Sequence, residues 1–308
     1  MAKSPENCLV VAISSRALFN FEEENLVFDA GDEETYMKTQ LDRLDIPASP
    51  GVGFNLCRKL LGLNPEDATA QPLTEVVVLS RNDPISGLRV FKSAEHHKIG
   101  VTRGAFLRGG NPYPYLEPLC ATLFLSANPA DVSEALKLNI PAANVFPRDV
   151  GHDPHPSELR IAFDGDSVLF SDEAERVYQH SKMTGFMAHE SAKASEPLPA
   201  GPLKPFLSAL HKLQKSLPNS CPISIKTALV TARGAPSHER ALRTLMSWGV
   251  EVDNAFFLDG WPKTGFLEKF QPDFFFDDQL RHIDPAKALI PSGHVPYGIA
   301  NELTAKVE

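Results

Sequence analysis

Cysteine is scarce. Cys8, Cys57, Cys120 and Cys221 are the four in 308 residues, and no two lie near each other. That excludes zinc-ligand spacing of the CxxC kind. A disulfide framework is not expected in a chain this long, so all four read as buried free thiols. Positive charge is also in deficit: 30 Lys and Arg face 39 Asp and Glu, a net charge of -9. That balance argues against a nucleic-acid partner, which normally needs a basic face. A small anionic substrate is not excluded, because one metal or a few local cations can reverse the field in a cleft. No window approaches the roughly 18 apolar residues of a membrane span, and Met1–Cys8 has no apolar signal-peptide core. The expected compartment is the cytoplasm, with no membrane partner. His96–His97 and His152/His155 lack the HxxxH pattern and read as surface or linker histidines.

Apolar residues make up 43% and charged residues 22%, which suits a globular chain rather than a disordered one. Short apolar runs recur at Leu9–Ile13, Glu75–Leu79, Gly104–Leu107, Ala121–Leu125, Leu159–Phe163, Thr227–Val230, Ala255–Leu258 and Asp273–Phe276. Continuous runs of this length suit strands buried on both faces of a parallel sheet. Helix-like stretches lie between them, including Leu203–Leu217, preceded by Pro202, and Ser237–Trp248, closed by Gly249. The alternation predicts an α/β fold of βαβ units, with its functional residues beyond the carboxyl ends of the strands.

The chain also repeats itself. IPASPGVG from Ile46 parallels LPAGPLK from Leu198, LVFDAGDEETY from Leu26 parallels VLFSDEAERVY from Val168, VVVLSRNDP parallels ALVTARGAP, and AFLRGG parallels FFLDGW. The spacing from Ser80 to Arg108 equals that from Thr231 to Asp259. These matches predict two related halves, 1–148 and 149–308, joined near the Pro- and His-rich Pro147–Pro156.

Four strand ends in the second half carry chemistry. Phe163–Glu173 (FDGDSVLFSDE) ends a strand in Asp164 and sets Asp166 two residues later, with Gly165 allowing a sharp turn. One acid can ligate a metal and attack phosphorus while the other moves protons. Thr231, Ala232 and Arg233 in ALVTAR offer a hydroxyl, backbone amides and a cation to phosphate oxygens. Lys263 follows the next strand and can neutralise phosphate; Lys269 is a rival that reads more simply as a surface residue. Asp277 and Asp278 in FFFDDQ are hard oxygen ligands with no thiolate beside them, a set that suits Mg²⁺.

The order Asp-x-Asp, Thr, Lys, Asp-Asp resembles the four motifs of the haloacid dehalogenase (HAD) superfamily. More closely, AISSRALF, AFDGDSVLFSDE, LVTARGAP, PKTGFLEKFQP, FFFDDQ and HVPYG, spanning about Leu9 to Ala300, resemble the cytosolic 5'-nucleotidase type I family. The resemblance implies Mg²⁺-dependent hydrolysis of nucleoside 5'-monophosphates such as AMP, and with the internal repeat it makes the expected fold two related HAD-like (Rossmann-like) parallel-sheet halves. It puts the nucleophile on Asp164 and the acid/base on Asp166. Phosphate contacts fall on Thr231 and Lys263. The metal ligands fall on Asp164, Asp277 and Asp278, with the Asp166 main-chain carbonyl as a further one. A sugar-phosphate phosphatase or a phosphotransferase of the same superfamily stays open, as does a nucleotide-binding regulator without turnover.

Met183–Pro202 reads either as a small cap insertion over the site or as a plain surface excursion. In the first half Ser14 stands for Asp164, Arg16 for Asp166, Ser80 for Thr231 and Pro112 for Lys263. Leu125 and Ser126 stand for Asp277 and Asp278. That half is expected to be catalytically degenerate. Arg16, Ser80, Asn82, Arg108 and a longer hairpin at Leu18–Phe28 leave a cleft-shaping, oligomer-contact, effector-site or purely structural role open.

Overall fold

The computed structural model describes residues 8–29, 33–67 and 69–304. It is an α/β structure of two compact units. One holds the chain up to Ile140 with Asn144–Ser157 and Pro218–Ile223; the other holds Pro141–Ala143, Glu158–Leu217 and Ser224 onward.

In the first unit, β1 (Leu9–Ile13), β2 (Thr74–Ser80), β3 (Arg103–Phe106), β4 (Leu123–Ser126) and β5 (Ala142–Val145) run in the order β3-β2-β1-β4-β5, with the division between units falling inside β5. In the second, β6 (Glu158–Phe163), β7 (Ser224–Thr231), β8 (Asn254–Phe257), β9 (Phe274–Asp277) and β10 (Ser292–His294) run in the order β8-β7-β6-β9-β10. The order is the same in each. Within the units, β1 pairs in parallel with β2 and β4, β2 with β3, β6 with β7 and β9, β7 with β8, and β9 with β10. Every residue of β1, β4 and β9 is buried, as apolar runs covered on both faces require. β5 and β10 had no signal of their own, being too short and, in Ser-Gly-His, too polar.

Helix starts follow local chemistry. Asp83 accepts from Ile85 N (2.8 Å) and Ser86 N (3.1 Å), with Pro84 first in the helix Pro84–His96. Asn128 caps Pro129–Lys137 in the same way. The helix His238–Ser247 is closed by Gly249 in the left-handed region, φ 64°.

Three expectations need correction. Leu18–Phe28 is not a hairpin: Ser15–Leu18 is a helical turn and Glu22–Asp29 a helix. Asn20 Oδ1 accepts the Glu22 N–H at 3.0 Å, and three glutamates occupy the first turn, where the helix dipole favours them. Of the cysteines only Cys57 is buried; Cys8 and Cys221 are half-buried and Cys120 is exposed. The repeat also has a different register. Antiparallel bridges join Phe19 to Pro50 and Phe170 to Ala200, so Pro50 matches Ala200, and IPASPGVG aligns two residues away from its reading in the sequence.

Candidate active site

The carboxyl ends of β6, β7 and β9 and the loop after β8 bring the predicted residues of the second unit together. Asp164 follows β6 directly, and its N–H donates to Phe276 O at 2.8 Å. The chain then turns through Gly165–Leu169, with Ser167 at φ 62°. A Cβ on Gly165 would stand 3.2 Å from Thr231 Oγ1, so glycine permits the close approach of this turn to β7. Thr231 ends β7 buried, and its hydroxyl accepts the Arg233 N–H at 3.2 Å.

Lys263 lies at the centre. Its Nζ is 2.8 Å from Asp164 Oδ1 and 2.6 Å from Asp277 Oδ2, and all three side chains are buried. Asp277 also accepts from Gln279 N at 2.9 Å and lies within 3.1–3.2 Å of His282 Nδ1. Beside it Asp278 is buried, and neither of its carboxylate oxygens has a hydrogen-bond partner among the described residues. Its main-chain carbonyl accepts from His294 Nε2 (2.9 Å) and Asn301 Nδ2 (3.0 Å).

The acids divide electrostatically. Burial pushes Asp164 up to about 6, against the pull of Lys263 and with Asp277 adding to the rise. Burial also opposes the charge on Asp277, but Lys263 and His282 outweigh it and hold that carboxyl below its ordinary value. Asp278 is raised well above the usual range by burial and by the neighbouring Asp164 and Asp277. Burial disfavours the Lys263 ammonium, yet the two aspartates raise it and keep it charged.

These residues fit a divalent cation. Asp164, Asp277 and His282 each offer a ligand atom, all within 4.8 Å of one another. The unpartnered oxygens of Asp278 are costly without a cation or a proton. The donors are mainly carboxylate oxygens, the type that hard cations take.

Asp166 and Arg233 form a second cluster. Arg233 donates from Nε to Asp166 Oδ2 (2.8 Å) and from Nη2 to Asp166 Oδ1 (2.7 Å). Its Nη1 bonds Glu190 and Ser237 O, so its side-chain donors are engaged inside the protein rather than held out for phosphate. Ala232 is exposed at the mouth of the loop, and its carbonyl accepts from Gly260 N at 3.0 Å. The exposed Lys269 takes no part.

Comparison with known proteins decides the family. A family model described as 5'-nucleotidase matches residues 1–302. The chain belongs to the 5'-nucleotidase family. It is 35% identical over 297 residues to human cytosolic 5'-nucleotidase 1B, covering 92% of this chain and 48% of that protein. The chain thus spans about half the length of the curated relative it matches. No solved structure matches it.

In this member of the family, several hydrogen bonds of the second unit have counterparts in the first. Ser14 N bonds Leu125 O at 2.8 Å, as Asp164 N bonds Phe276 O at 2.8 Å. Asn128 N bonds Ser126 Oγ as Gln279 N bonds Asp277 Oδ1. Ser126 therefore takes the place of Asp277, one residue away from the sequence-based alignment, which had put Leu125 there. Ser80 and Asn82 bond as Thr231 and Arg233 do, the Asn82 N–H reaching Ser80 Oγ at 3.1 Å. Arg16 pairs with Glu22 at 2.9 Å.

Sequence reasoning gave no role to His282, Asn301 and Glu190, and took in His294 only within the HVPYG stretch without assigning it a part in the site. His282 carried a weak signal as a polar residue one helical turn past the Asp-Asp pair. Met183–Ala192 completes a helix begun at Glu173, broken at Lys182 (φ 56°, ψ -167°), and Glu190 is buried on it. Among the described residues no helix is long and apolar enough to cross a membrane.

Proposed function

We propose that this chain hydrolyses nucleoside 5'-monophosphates to nucleoside and phosphate through an aspartyl phosphate on Asp164, with Mg²⁺ as its cofactor. The observation that carries the reading is the meeting of Asp164, Lys263 and Asp277 in one buried cluster at the strand ends, with Thr231 beside it. Asp164, Asp277, Asp278 and the Asp166 carbonyl would hold the cation. Bound there, it would supply charge that lets one anion approach another.

An Asp164 carboxylate oxygen attacks phosphorus, and the bond from phosphorus to the ribose 5' oxygen breaks. Asp166, whose two oxygens both accept from Arg233 in the resting site, gives a proton to that leaving oxygen after taking one up on an oxygen turned out of the pair, the other oxygen staying on Arg233. Water then attacks the phosphorus of the aspartyl phosphate, Asp166 takes a proton from it, and phosphate leaves with Asp164 restored. Such proton transfer is worth roughly 10²–10⁴-fold in rate. Thr231 and Lys263 hold the charge on the transferring group. The match of scaffold bonds between the units supports two related HAD-like halves, the first catalytically degenerate. The relative's name supports a cytosolic setting.

A phosphate-release screen with Mg²⁺ over nucleoside monophosphates and sugar phosphates tests the reading. Preference for sugar phosphates would replace the substrate class. Asp164→Asn should abolish release while the melting curve stays cooperative; near-normal release by that variant would remove the proposed nucleophile.

A further inference from the structure

The two units differ informatively around one buried arginine. Arg89 in the first and Arg240 in the second occupy the same place. Arg89 Nε donates to Ile46 O (3.1 Å) and Arg240 Nε to Glu196 O (2.9 Å). Each backbone carbonyl accepts from a hydroxyl one turn on, Ser93 to Arg89 O and Thr244 to Arg240 O, both at 2.7 Å. Those hydroxyls accept from Ala48 N (3.0 Å) and Leu198 N (2.8 Å). This is shared scaffold.

The next layer is not shared. Arg89 Nη1 reaches Gln40 Oε1 at 3.1 Å and also pairs with the buried Glu24, whereas Arg240 Nη1 reaches Glu190 Oε1 at 2.8 Å and Glu173 Oε1 at 3.2 Å. At the place of Glu190 itself the first unit thus has a neutral amide, and its arginine takes a buried carboxylate from Glu24, on another helix. Glu190 spends its other oxygen on Arg233, and Arg233 grips both oxygens of Asp166. In the first unit Asn82 replaces Arg233 and Arg16 replaces Asp166. The Glu190–Arg233 link is therefore present with the acid at position 166 and missing without it, while the scaffold around it persists.

We propose that Glu190 is a positioning residue for Asp166, acting through Arg233; the inference rests on the nucleotidase reading above. Glu190 is 1% exposed and Arg233 3% exposed, and the guanidinium lies near the Phe170 and Phe186 rings, at 6.0 and 5.8 Å from their centroids. With one Nη1 proton directed to Glu190, the planar fork has a fixed direction. Its remaining edge, Nε and Nη2, orients Asp166 through two parallel bonds. Glu190 also divides its charge between Arg233 and Arg240, so Asp166 does not face the full charge of Arg233 alone. Glu190 touches neither phosphate nor the reacting atoms; its effect belongs to the step in which Asp166 moves a proton.

The test is a mutant cycle on the full chain with AMP and Mg²⁺. Glu190→Gln is nearly isosteric, and Gln40 already serves an arginine in the matching place, so the variant should fold. Its kcat should fall roughly 10–100-fold, the scale of a misplaced catalytic group, with KM within about twofold of wild type. In an Asp166→Asn background the same substitution should change the residual kcat less than about twofold, because the two residues act as one unit. Glu190→Asp keeps the charge but draws it back from Arg233, and serves the same cycle if the Gln variant does not fold. Equal losses in both backgrounds would make Glu190 merely structural, and an unchanged kcat beside intact Asp166 would remove its role; either overturns the inference alone. A wild-type chain that releases no phosphate from any nucleoside monophosphate takes the nucleotidase reading down as well.

Discussion

Lys263 Nζ stands 2.6 Å from Asp277 Oδ2 with both side chains buried, and the same ammonium is 2.8 Å from Asp164. One cation thus serves two buried carboxylates.

Removing that cation should cost both stability and activity. Lys263→Ala leaves buried carboxylates uncompensated, which typically costs about 3–5 kcal/mol. It should also lower kcat/KM by on the order of 10²-fold through lost charge stabilisation. Lys269→Ala, at an exposed position, should change neither. Urea unfolding and phosphate release on both variants check this; a larger effect at Lys269 would reverse the assignment.

Activity should disappear in EDTA and return with Mg²⁺, and with Mn²⁺ as another hard cation. Binding should also be visible without turnover. A ligand at 100 times its Kd adds about 2.7 kcal/mol of stability, so the melting temperature should rise with Mg²⁺. Asp278→Asn should remove most of that rise. Full activity after metal stripping would sink the metal assignment.

Stability should fall at acid pH in a defined window. Burial opposes ionisation of Glu24 and Glu190, but Arg89 and Arg43 beside the first, and Arg233 and Arg240 beside the second, hold both below the ordinary 4.5. A carboxyl depressed on folding contributes stability that is present above its unfolded value and lost as pH falls through its folded value. Asp164, raised to about 6 from 3.8, runs the opposite way, and its contribution grows as pH falls between those values. Without metal, the urea midpoint should therefore stay level or rise slightly from pH 7 to about 5 and drop below about 4. A midpoint constant down to pH 3 would show that these ion pairs carry no charge-linked stability.

Gly201→Ala should be strongly destabilising. A Cβ there would stand 2.2 Å from Phe170 O and 2.6 Å from Val168 O, backbone atoms of the turn that follows Asp164. Overpacking of this kind costs about 1–3 kcal/mol, occasionally more. Gly100→Ala, where a Cβ meets nothing within 4 Å, is the control. Equal urea midpoints for the two variants would contradict the crowding.

The sequence by itself determined the α/β class, because apolar runs such as Leu9–Ile13 and Phe274–Phe276 must be buried on both faces wherever they pack. It also singled out Asp164, Thr231, Lys263, Asp277 and Asp278, since reactive polar residues at the ends of such runs break an otherwise apolar pattern. Only the tertiary structure decided the partners. Lys263 lies 14 residues from Asp277 in the chain and Arg233 lies 67 from Asp166, separations at which no local periodicity operates. Glu190 was illegible for the same reason: on a polar-looking helix a buried glutamate reads like a solvated one until the arginines that neutralise it are seen beside it. The register of the repeat was likewise settled by backbone bonds, as at Ser126 and Asp277, because two strands of similar apolar residues score alike when slid by one position while their hydrogen bonds do not.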